Sequence, residues 1–453
     1  MDITAIILAA GKGTRMKSPL PKVLHSIGGK PMVEHVLATS KELGAAKSVV
    51  VYGYGGDQVQ QALANSEVEM VEQTEQLGTG HAVAQALPLI ADDDVAVVLY
   101  GDVPLVTAPL LQKLVDIAKG GKLALLTVKL DQPAGYGRIV RDGDGKVVAI
   151  VEHKDANSEQ LIINEVNTGI LAVSGRLLQE ELPKLSNSNA QGEYYLTDVI
   201  AAAVAAGVTV EAVIAPEPVE VEGVNDLLQL ATLERAYQLR QAQNLMRQGC
   251  KIMDPARFDL RGRLSTGQQC LIDVNCIFIG DVTLGDNVSV EANCHIINCT
   301  IASGVTIKAN SHLEGAVIAD GCEIGPYARI RPGTQLMSGA KIGNFVETKK
   351  TLVGEDSKIN HLSYVGDAIL GKEVNVGAGT ITCNYDGVNK FTTEMGDHAF
   401  IGSNSSLVAP VRIGKNATTG AGSTITTDVE DNSLSVGRGK QRNITGWNRP
   451  TKK

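Results

Sequence analysis

The chain has 453 residues and a formal net charge of −9. This length exceeds what one compact core usually organises, so two or three domains are expected. The acidic balance argues against nucleic-acid binding, because nucleic-acid-binding proteins carry a basic surface. No segment approaches the roughly 18 successive apolar residues of a membrane span, and the start, MDITAIILAAGKG, lacks the pattern of a secretory signal. We therefore expect a soluble, cytoplasmic protein.

A buried strand is predicted at residues 3–9, and the glycine-rich turn AGKGTRM follows it at once, at 10–16. In α/β folds ligands bind at the carboxyl ends of strands, and the backbone amides of a tight turn can approach phosphate closely. The turn matches neither the P-loop nor the dinucleotide-binding pattern. Lys12, Arg15 and Lys22 add positive charge around it. The turn therefore indicates a phosphate site, with a purely structural turn as the alternative.

Strand and helix patterns then alternate, which predicts a mostly parallel, three-layer α/β domain. The predicted strands are 47–52, 68–71, 95–100, 123–129, 147–151 and 168–173, and the predicted helices are 32–43 and 80–87. The strand at 95–100 runs directly into Gly101 and Asp102. An aspartate at this position beside a phosphate site can hold Mg²⁺. A helix-capping aspartate is the alternative.

Residues 226–248 have apolar side chains at helical spacing, and Gly249 is a usual helix stop. At 1.5 Å per residue the predicted helix is roughly 35 Å long, so we expect it to separate two domains. We therefore predict a first domain at 1–226, a linker helix at 227–249 and a second domain at 250–453. An oligomerising coiled coil is the alternative, although the heptad positions are mixed.

The second half of the chain repeats every six residues, with an occasional five, and neither a helix nor an exposed strand has this period. Each repeat therefore forms one side of a triangular prism with its aliphatic residue inward, which predicts a left-handed parallel β-helix. A β-sandwich, with strands every 8–12 residues, does not predict a fixed six. The inward positions are Leu284, Val290, Ile296, Ile301, Ile307, Leu313, Ile318, Ile324, Ile330, Leu336, Ile342, Val353, Ile359, Val365, Leu370, Val376, Met395, Ile401, Leu407, Ile413 and Ile425.

Small residues occupy the position four places after the aliphatic one, and three of the seven cysteines lie there: Cys276, Cys294 and Cys322. Cys276 and Cys294 are eighteen residues apart, a spacing that could also suit a ligand pair. Since no CxxC pair occurs, we interpret these residues as reduced core cysteines rather than as metal ligands or a disulfide.

The six-residue period breaks across residues 380–394, TITCNYDGVNKFTTE. We interpret this break as a loop expelled from the six-residue repeat, here called the hexad ladder. Loops on a rigid solenoid commonly carry function. A tolerated surface insertion is the alternative. The flat outer faces of such a prism suit side-by-side association, so a homotrimer is expected.

Several separated motifs resemble those of the sugar-1-phosphate nucleotidyltransferases: LAAGKGTRM at 8–16, Pro21-Lys22, QLGTGHA at 76–82 and YGD at 100–102. Together with the hexad ladder and NHLSYVGD at 360–367, the whole chain resembles a bacterial family of bifunctional enzymes. That family acetylates glucosamine-1-phosphate with acetyl-CoA and then transfers a uridyl group from UTP to N-acetylglucosamine-1-phosphate.

The resemblance implies a Rossmann-like nucleotidyltransferase domain joined by the long helix to a β-helical acetyltransferase domain. The implied product, UDP-N-acetylglucosamine, is a precursor of the cell wall and of lipopolysaccharide. A sugar nucleotidyltransferase with a purely structural or regulatory β-helix is the alternative. A scaffold without enzymatic activity does not explain the phosphate-site motifs.

For uridyl transfer, the resemblance implies a nucleotide site, a sugar-phosphate site and a Mg²⁺ site. The nucleotide site comprises Leu8, Ala9, Ala10, Gly11, Arg15, Lys22, Gln73, Gly78 and Thr79, with the two cations on the triphosphate and the last three residues on the uracil side. The sugar-phosphate site comprises Tyr100, Gly101, Gly137, Glu152 and Asn167, of which Glu152 and Asn167 taken alone would be surface or capping polarity. Asp102 and Asn225 are the implied Mg²⁺ ligands. The stretch GEYYLTD at 192–198 is implied to shape the sugar pocket.

For acetyl transfer, the resemblance implies that His361 is the general base, since its reference pKa near 6.5 suits removal of a proton from the amine. An ordinary surface histidine is the alternative. Arg331, Lys349, Tyr364 and Asn375 are implied to hold the sugar phosphate. Ala378, Asn384, Tyr385, Ser403, Ala421 and Arg438 are implied to contact acetyl-CoA, with Asn384 and Tyr385 also near the sugar and Ser403, or a backbone N–H beside it, near the developing oxyanion.

These residues lie on outer faces and on the expelled loop, so we expect the acetyl site to be shared between subunits of the trimer. The tail from Gly437 contains the single tryptophan and several cations. We expect it to lie against a neighbouring subunit near the coenzyme pocket. Gly439-Lys440 departs from the family's usual Val-Pro after the arginine, which leaves the role of Arg438 in doubt.

Overall fold

The computed structural model describes residues 1–452, which form two compact units, one from Met1 to Tyr237 and one from Gln238 onward. Each unit contains its own hydrophobic core. None of the helices within residues 1–452 combines the length and the apolar character needed to cross a bilayer.

A nine-stranded sheet organises the first unit. The strands of this unit, including the small β2–β3 hairpin, are β1 Ile3–Ala9, β2 Ser26–Ile27, β3 Lys30–Pro31, β4 Lys47–Tyr52, β5 Glu69–Glu72, β6 Val95–Tyr100, β7 Leu123–Lys129, β8 Arg138–Arg141, β9 Val147–Val151, β10 Glu165–Ser174 and β11 Val210–Ile214. The helices are α1 Met32–Glu42, α2 Gly56–Ala62, α3 Thr79–Ala86, α4 Ala108–Lys119, α5 Ser158–Leu161, α6 Gly175–Glu181, α7 Asp198–Ala205 and α8 Leu227–Arg247, the last of which continues into the second unit.

The main sheet has the order β11-β7-β10-β6-β1-β4-β5, and the β8–β9 hairpin extends from β10. All neighbours on this path are parallel except β10, which is antiparallel to both β6 and β7. Ala5 and Ile7 of β1 pack with α1 and α4, whereas Ile6 and Leu8 pack with α3, α6 and α7. This alternation follows from the two-residue period of a strand, and it confirms the mostly parallel, three-layer prediction.

The second unit is a parallel solenoid built from short strands. In chain order these are β12 Lys251–Ile252, β13 Asp259–Thr266, β14 Leu271–Ile272, β15 Ile277–Leu284, β16 Ser289–Val290, β17 His295–Ile297, β18 Thr300–Ile301, β19 Thr306–Ile307, β20 His312–Glu314, β21 Val317–Ile318, β22 Glu323–Ile324, β23 Arg329–Ile330, β24 Gln335–Leu336, β25 Lys341–Asn344, β26 Glu347–Val353, β27 Lys358–His361, β28 Tyr364–Leu370, β29 Asn375–Val376, β30 Ile381–Cys383, β31 Thr393–Met395, β32 Phe400–Ile401, β33 Ser406–Val408, β34 Val411–Ile413, β35 Thr418–Thr419, β36 Thr424–Ile425 and β37 Leu434–Ser435. One face is an 11-stranded sheet that starts at β12 and contains β25, β27 and β29. The other two faces form one 15-stranded sheet, because β15 pairs with β17 at one end and with β18 at the other.

Coil length follows from the strand register. Val290 pairs with Ile272 eighteen residues before it and with Ile307 seventeen residues after it. Every predicted inward aliphatic residue is at most 3% exposed, which confirms the hexad interpretation and the left-handed β-helix. All seven cysteines are free thiols; six are buried and Cys383 is partly exposed.

The predicted break at 380–394 was too wide. One coil is longer, since Val376 pairs with Ile401 twenty-five residues later, but β30 and β31 remain paired within the sheet. Only residues 384–392 leave the ladder. The sequence pattern misled because Thr382, 1% exposed, takes an inward position. Its hydroxyl donates to Gly366 O at 3.0 Å, so a polar residue is satisfied where an aliphatic one was expected.

Candidate functional sites

A cavity of about 390 Å³ opens at the carboxyl ends of β1 and β6. It combines residues from the glycine-rich turn, from the segment before α3 and from the segment before α8. The residues predicted for the uridyl-transfer site that line it are Leu8, Ala9, Ala10, Gly11, Lys22, Gln73, Gly78, Thr79, Tyr100, Asp102 and Asn225. The remaining lining residues are Val23, Gln76, Ala82 and Glu193. Gln76 and Glu193 lie in the quoted stretches 76–82 and 192–198, which are the sequence signals for them.

Gly78 shapes one wall of this cavity. Its φ is +114°, and a Cβ there would lie 2.6 Å from Tyr194 O, so no other residue fits without moving the backbone. Gly78 O accepts a hydrogen bond of 3.1 Å from Gln73 Nε2. Gln73 is 3% exposed and also contacts His81 Nδ1 at 3.1 Å. The amide of Gln73 is therefore held in a fixed orientation at the cavity wall.

Cations and oxygen ligands meet in the floor of the cavity. Lys22 forms an ion pair with Asp102, and the two side chains are 16% and 14% exposed. Asn225 Oδ1 accepts hydrogen bonds from Lys22 Nζ at 3.3 Å and from Arg15 Nη2 at 2.9 Å. One ammonium thus contacts both a carboxylate and an amide oxygen. These two oxygens are of the type that Mg²⁺ prefers.

Residues 1–452 contain no group of three or more His, Cys, Asp or Glu side chains arranged to hold a metal. Mg²⁺ in phosphoryl-transfer sites is usually held by one or two protein carboxylates together with substrate phosphate and water. The pair Asp102 and Asn225, already gathered around one cationic atom, fits this mode of binding.

Five predicted residues of this site do not line the cavity: Arg15, Gly101, Gly137, Glu152 and Asn167. The last three form a neighbouring cluster, where Asn167 N donates to Gly137 O at 2.8 Å. A register shift between β10 and β7 begins at Asn167. Tyr100 lines the cavity and also a small void beside Asn167, so it connects the two regions.

Glu152 accepts a hydrogen bond of 3.1 Å from Thr197 Oγ1. Burial raises the pKa of the Glu152 carboxyl, and Asp155 and Asp198 raise it further, against the lowering effect of Thr197. Burial also raises the pKa of Tyr100, with Asp102 and Glu152 as weaker causes. The Glu152 cluster therefore holds a carboxylate whose charge has little compensation.

The second site lies on the β-helix, where cations occupy successive coils. Arg331 Nη1 contacts Glu347 Oε1 at 2.7 Å. The neighbouring ammonium of Lys390 lowers the pKa of Lys349, and Arg331 lowers it further. Three positive groups therefore converge next to the expelled loop, an arrangement that suits a doubly charged phosphate. Lys390 and Glu347 were not predicted, because Lys390 comes from a loop without a repeat pattern.

The expelled loop is tied to the solenoid by Asn384, whose Nδ2 donates to Asp367 Oδ2 at 2.5 Å. Tyr385 Oη donates to Gly387 O within the loop, also at 2.5 Å. Asn375 belongs to the 11-stranded sheet, whereas Tyr364 belongs to the 15-stranded one. The residues predicted for the sugar thus occupy two faces of the prism in a single chain.

One corner of the prism brings together His361, Ala378, Ser403 and Ala421. These four residues form a column, and the amide that follows each of the last three donates to the column residue of the preceding coil: Gly379 N to His361 O, Asn404 N to Ala378 O and Gly422 N to Ser403 O, at 3.3, 2.7 and 2.8 Å. Arg438 Nη1 donates to Ala421 O at 2.6 Å, which brings the predicted arginine to the same column. A narrow row of small residues therefore leads away from His361.

His361 is exposed, and its Nδ1 lies 2.9 Å from Asn344 Oδ1. Asn344 pairs with His361 across β25 and β27. Asn344 was not among the predicted residues, because coils of seventeen and eighteen residues both occur and the repeat alone does not show which residue aligns with His361.

These two sites define a class of protein: a nucleotidyltransferase domain followed by a hexapeptide-repeat transferase domain. In agreement, residues 5–161 match the MobA-like NTP transferase domain, residues 260–336 match the GMPPB C-terminal domain, and residues 392–427 match the six-repeat bacterial transferase hexapeptide family.

Relatives over the full length make the assignment specific. Proteins named "Bifunctional protein GlmU" are 60% identical in Cellvibrio japonicus, over 99% of both chains, and 60% identical in Marinobacter nauticus, over 99% of this chain and 98% of the relative. The protein of the same name in Stutzerimonas stutzeri is 58% identical over 100% of both chains. This chain belongs to the GlmU family. It is a bifunctional enzyme, an acetyltransferase and a uridyltransferase that together make UDP-N-acetylglucosamine.

A solved structure, a nucleotidyl transferase from Methanothermobacter thermautotroptrophicus, is also similar over 53% of this chain and 99% of its own, at 20% identity and a TM-score of 0.39. That likeness is too distant to add to the assignment.

Proposed function

We propose that the two activities are divided between separate domains. Uridyl transfer takes place in the cavity of a domain at 1–226, and acetyl transfer takes place beside His361 in a domain at 250–453, with residues 227–249 as the linker helix. The observation that carries this proposal is the convergence, in each unit, of phosphate-binding cations with the groups that the chemistry needs. The product supplies precursors for the cell wall and lipopolysaccharide.

In the first domain the phosphate oxygen of N-acetylglucosamine-1-phosphate attacks the α-phosphorus of UTP, the bond to the β-phosphate breaks, and pyrophosphate leaves. No protein nucleophile is needed, because the attacking oxygen is already an anion. The chain therefore positions the reactants and neutralises charge. Leu8, Ala9, Ala10 and Gly11 hold the nucleotide with Gln73, Gly78 and Thr79 on the uracil side. Arg15 and Lys22 face the triphosphate; Tyr100, Gly101, Gly137, Glu152 and Asn167 hold the sugar phosphate.

Asp102 and Asn225 would hold Mg²⁺, which when bound neutralises phosphate charge. Their contacts with Lys22 support this assignment, since a cation already satisfies both oxygens there. Lys22, which contacts both oxygens, also lies where its ammonium can face the substrate phosphates.

In the second domain His361 Nε2 removes a proton from the amine of glucosamine-1-phosphate. The amine nitrogen then bonds to the acetyl carbon, the carbon–sulfur bond of acetyl-CoA breaks, and the departing thiolate takes up the proton. Arg331, Lys349, Tyr364 and Asn375 hold the sugar phosphate, and Ser403 or a backbone N–H beside it faces the developing oxyanion. The acetyl-CoA arm lies along the small-residue column, contacting Ala378, Asn384, Tyr385, Ser403, Ala421 and Arg438.

We further propose that the protein is a homotrimer. In most coils, the residue after the column position has positive φ and is Asn or Gly, but Tyr327, Phe345 and Leu362 take this conformation on consecutive coils, with φ of 56°, 57° and 51°. They are 52%, 56% and 64% exposed, and the two rings stack with centroids 5.3 Å apart. A large apolar residue is costly in the left-handed backbone region, and it is also costly where its side chain is exposed to water. Their position beside His361 suits a contact with a second copy that completes the acetyl site.

A cytoplasmic location fits the free state of all seven cysteines, because thiols persist in a reducing compartment. No nucleic acid or membrane partner is proposed.

Two variants test the division of labour. Asp102→Ala should reduce pyrophosphate release from UTP and N-acetylglucosamine-1-phosphate by about 10³-fold or more, with thiol release from acetyl-CoA and glucosamine-1-phosphate near normal. His361→Ala should do the reverse. Loss of both activities in either folded variant would contradict separate sites. Normal thiol release by His361→Ala would contradict the base assignment, and no thiol release by the unaltered protein would favour a regulatory β-helix.

A further inference from the structure

The residue that faces His361 across the coil is Asn344, with Oδ1 2.9 Å from His361 Nδ1. An amide oxygen can only accept a hydrogen bond, so the ring must place its proton on Nδ1. The lone pair then lies on Nε2, the nitrogen that points away from Asn344. We propose that Asn344 is a positioning residue for acetyl transfer: it selects the tautomer and the ring orientation in which His361 can act as a base. This inference rests on the proposed role of His361.

The geometry of the solenoid does not require an asparagine at this position. Equivalent residues, whose carbonyls accept from the corner amide of the next coil, are of several kinds: Val274, Ala292, Ala309 and Ala378 are small and apolar, whereas Arg257, Tyr327, His361 and Ser403 carry polar side chains. Asn344 occupies the same position, because its carbonyl accepts from Leu362 N at 3.1 Å. Among these positions an asparagine occurs only at 344, one coil before His361.

The backbone also holds Asn344 close to His361. A Cβ at Gly343 would lie 2.0 Å from Asn360 O, so glycine permits the two coils to approach at this point. The cross-strand pairing of Asn344 with His361 places both side chains on the same side of the sheet. The contact between Asn344 and His361 is therefore fixed by the strand register and by the close approach that Gly343 permits.

The chemical consequence concerns the neutral and the protonated ring. In water, the neutral imidazole of histidine prefers the tautomer with the proton on Nε2, the nitrogen remote from the backbone. In that tautomer the basic nitrogen would be Nδ1 and not Nε2. The hydrogen bond to Asn344 reverses this preference. When Nε2 takes up the proton of the amine, Nδ1–H becomes part of a cation, and its hydrogen bond to an amide oxygen strengthens. Asn344 therefore also stabilises the transition state.

Asn344→Ala introduces the residue that other coils carry, so the variant should fold. We expect kcat for acetyl transfer to fall about tenfold or more, because a hydrogen bond to a developing cation is lost, while KM for both substrates changes little. Uridyl transfer by the same molecules is the internal control and should be unchanged. Asn344→Asp keeps the acceptor, so it should retain the tautomer and move the acidic limb of the kcat/KM profile to higher pH. Nitrogen-15 NMR of labelled histidine should report Nδ1–H in the unaltered protein and mostly Nε2–H in Asn344→Ala.

Ser363→Ala is the matched control, since Ser363 Oγ donates at 2.8 Å to the carbonyl of His361 and not to its ring. This variant disturbs the same turn and should leave the tautomer unchanged. Nε2–H in the unaltered protein, or an unchanged kcat in Asn344→Ala, would overturn the role of Asn344. If His361→Ala keeps acetyl transfer, the proposed base is wrong; if it loses acetyl transfer while Asn344→Ala is normal, only the present inference fails.

Discussion

The exposed apolar corner formed by Tyr327, Phe345 and Leu362 allows folding of the chain and assembly of the trimer to be tested separately. Replacing Phe345 and Leu362 together with asparagine restores the residue type that the positive-φ corner carries elsewhere, as at Asn310. The two side chains are 56% and 64% exposed, so roughly half of each apolar side chain remains to be buried, which is worth about 1–1.5 kcal/mol per residue. Over three contacts in a trimer the double variant loses roughly 6–9 kcal/mol, equivalent to more than a 10⁴-fold weaker assembly.

The single chain should gain from the same change, since a bulky residue in the left-handed region costs roughly 1–2 kcal/mol and asparagine tolerates it better. Sedimentation should therefore show a folded monomer that keeps uridyl transfer and loses acetyl transfer. Asn310→Gly, one corner position before Tyr327, is the control and should remain a trimer. A double variant that still sediments as a trimer would refute the corner as the interface, and an unfolded one would refute the strain argument.

Three further predictions concern individual residues. Glu152→Gln should raise the melting temperature at pH 8 and not at pH 4, because burial raises the pKa of this carboxyl and its ionised form is costly only above that pKa. The same variant should lower kcat/KM for N-acetylglucosamine-1-phosphate by roughly 10- to 100-fold. An equal change in melting temperature at both pH values would contradict the raised pKa. Gly78→Ala places a Cβ 2.6 Å from Tyr194 O, so uridyl transfer should fall by about 100-fold with acetyl transfer retained as the control; normal uridyl transfer would show that the turn adapts. Thiol titration of the native protein should detect Cys383 alone, and all seven cysteines after unfolding, since six are buried; fewer than seven after unfolding without reductant would reveal a disulfide.

The first domain shows where pattern reading stops. Its buried strands were predictable because an apolar run ends in a glycine-rich turn or in Gly101-Asp102. The pattern did not predict the antiparallel direction of β10, since a strand buried on both faces looks the same in either direction. It also missed β8 and β11, whose short segments carry no clear period. Asn167 lies in β10, and Glu152 directly follows β9, which pairs with β8; the motif resemblance named both residues where periodicity did not.

By itself the sequence determined the β-helix, because a period of six is possible only if every side of the prism turns an aliphatic residue inward, and each such residue is at most 3% exposed. It also determined that phosphate-binding motifs stand at the ends of strands. Only the tertiary structure decided which polar groups meet: Lys22 with Asn225, 203 residues away, and Asn344 with His361, 17 residues away. Both contacts depend on sheet order and coil length. Coils of seventeen and eighteen residues leave the same aliphatic pattern but align different neighbours, so register had to be observed.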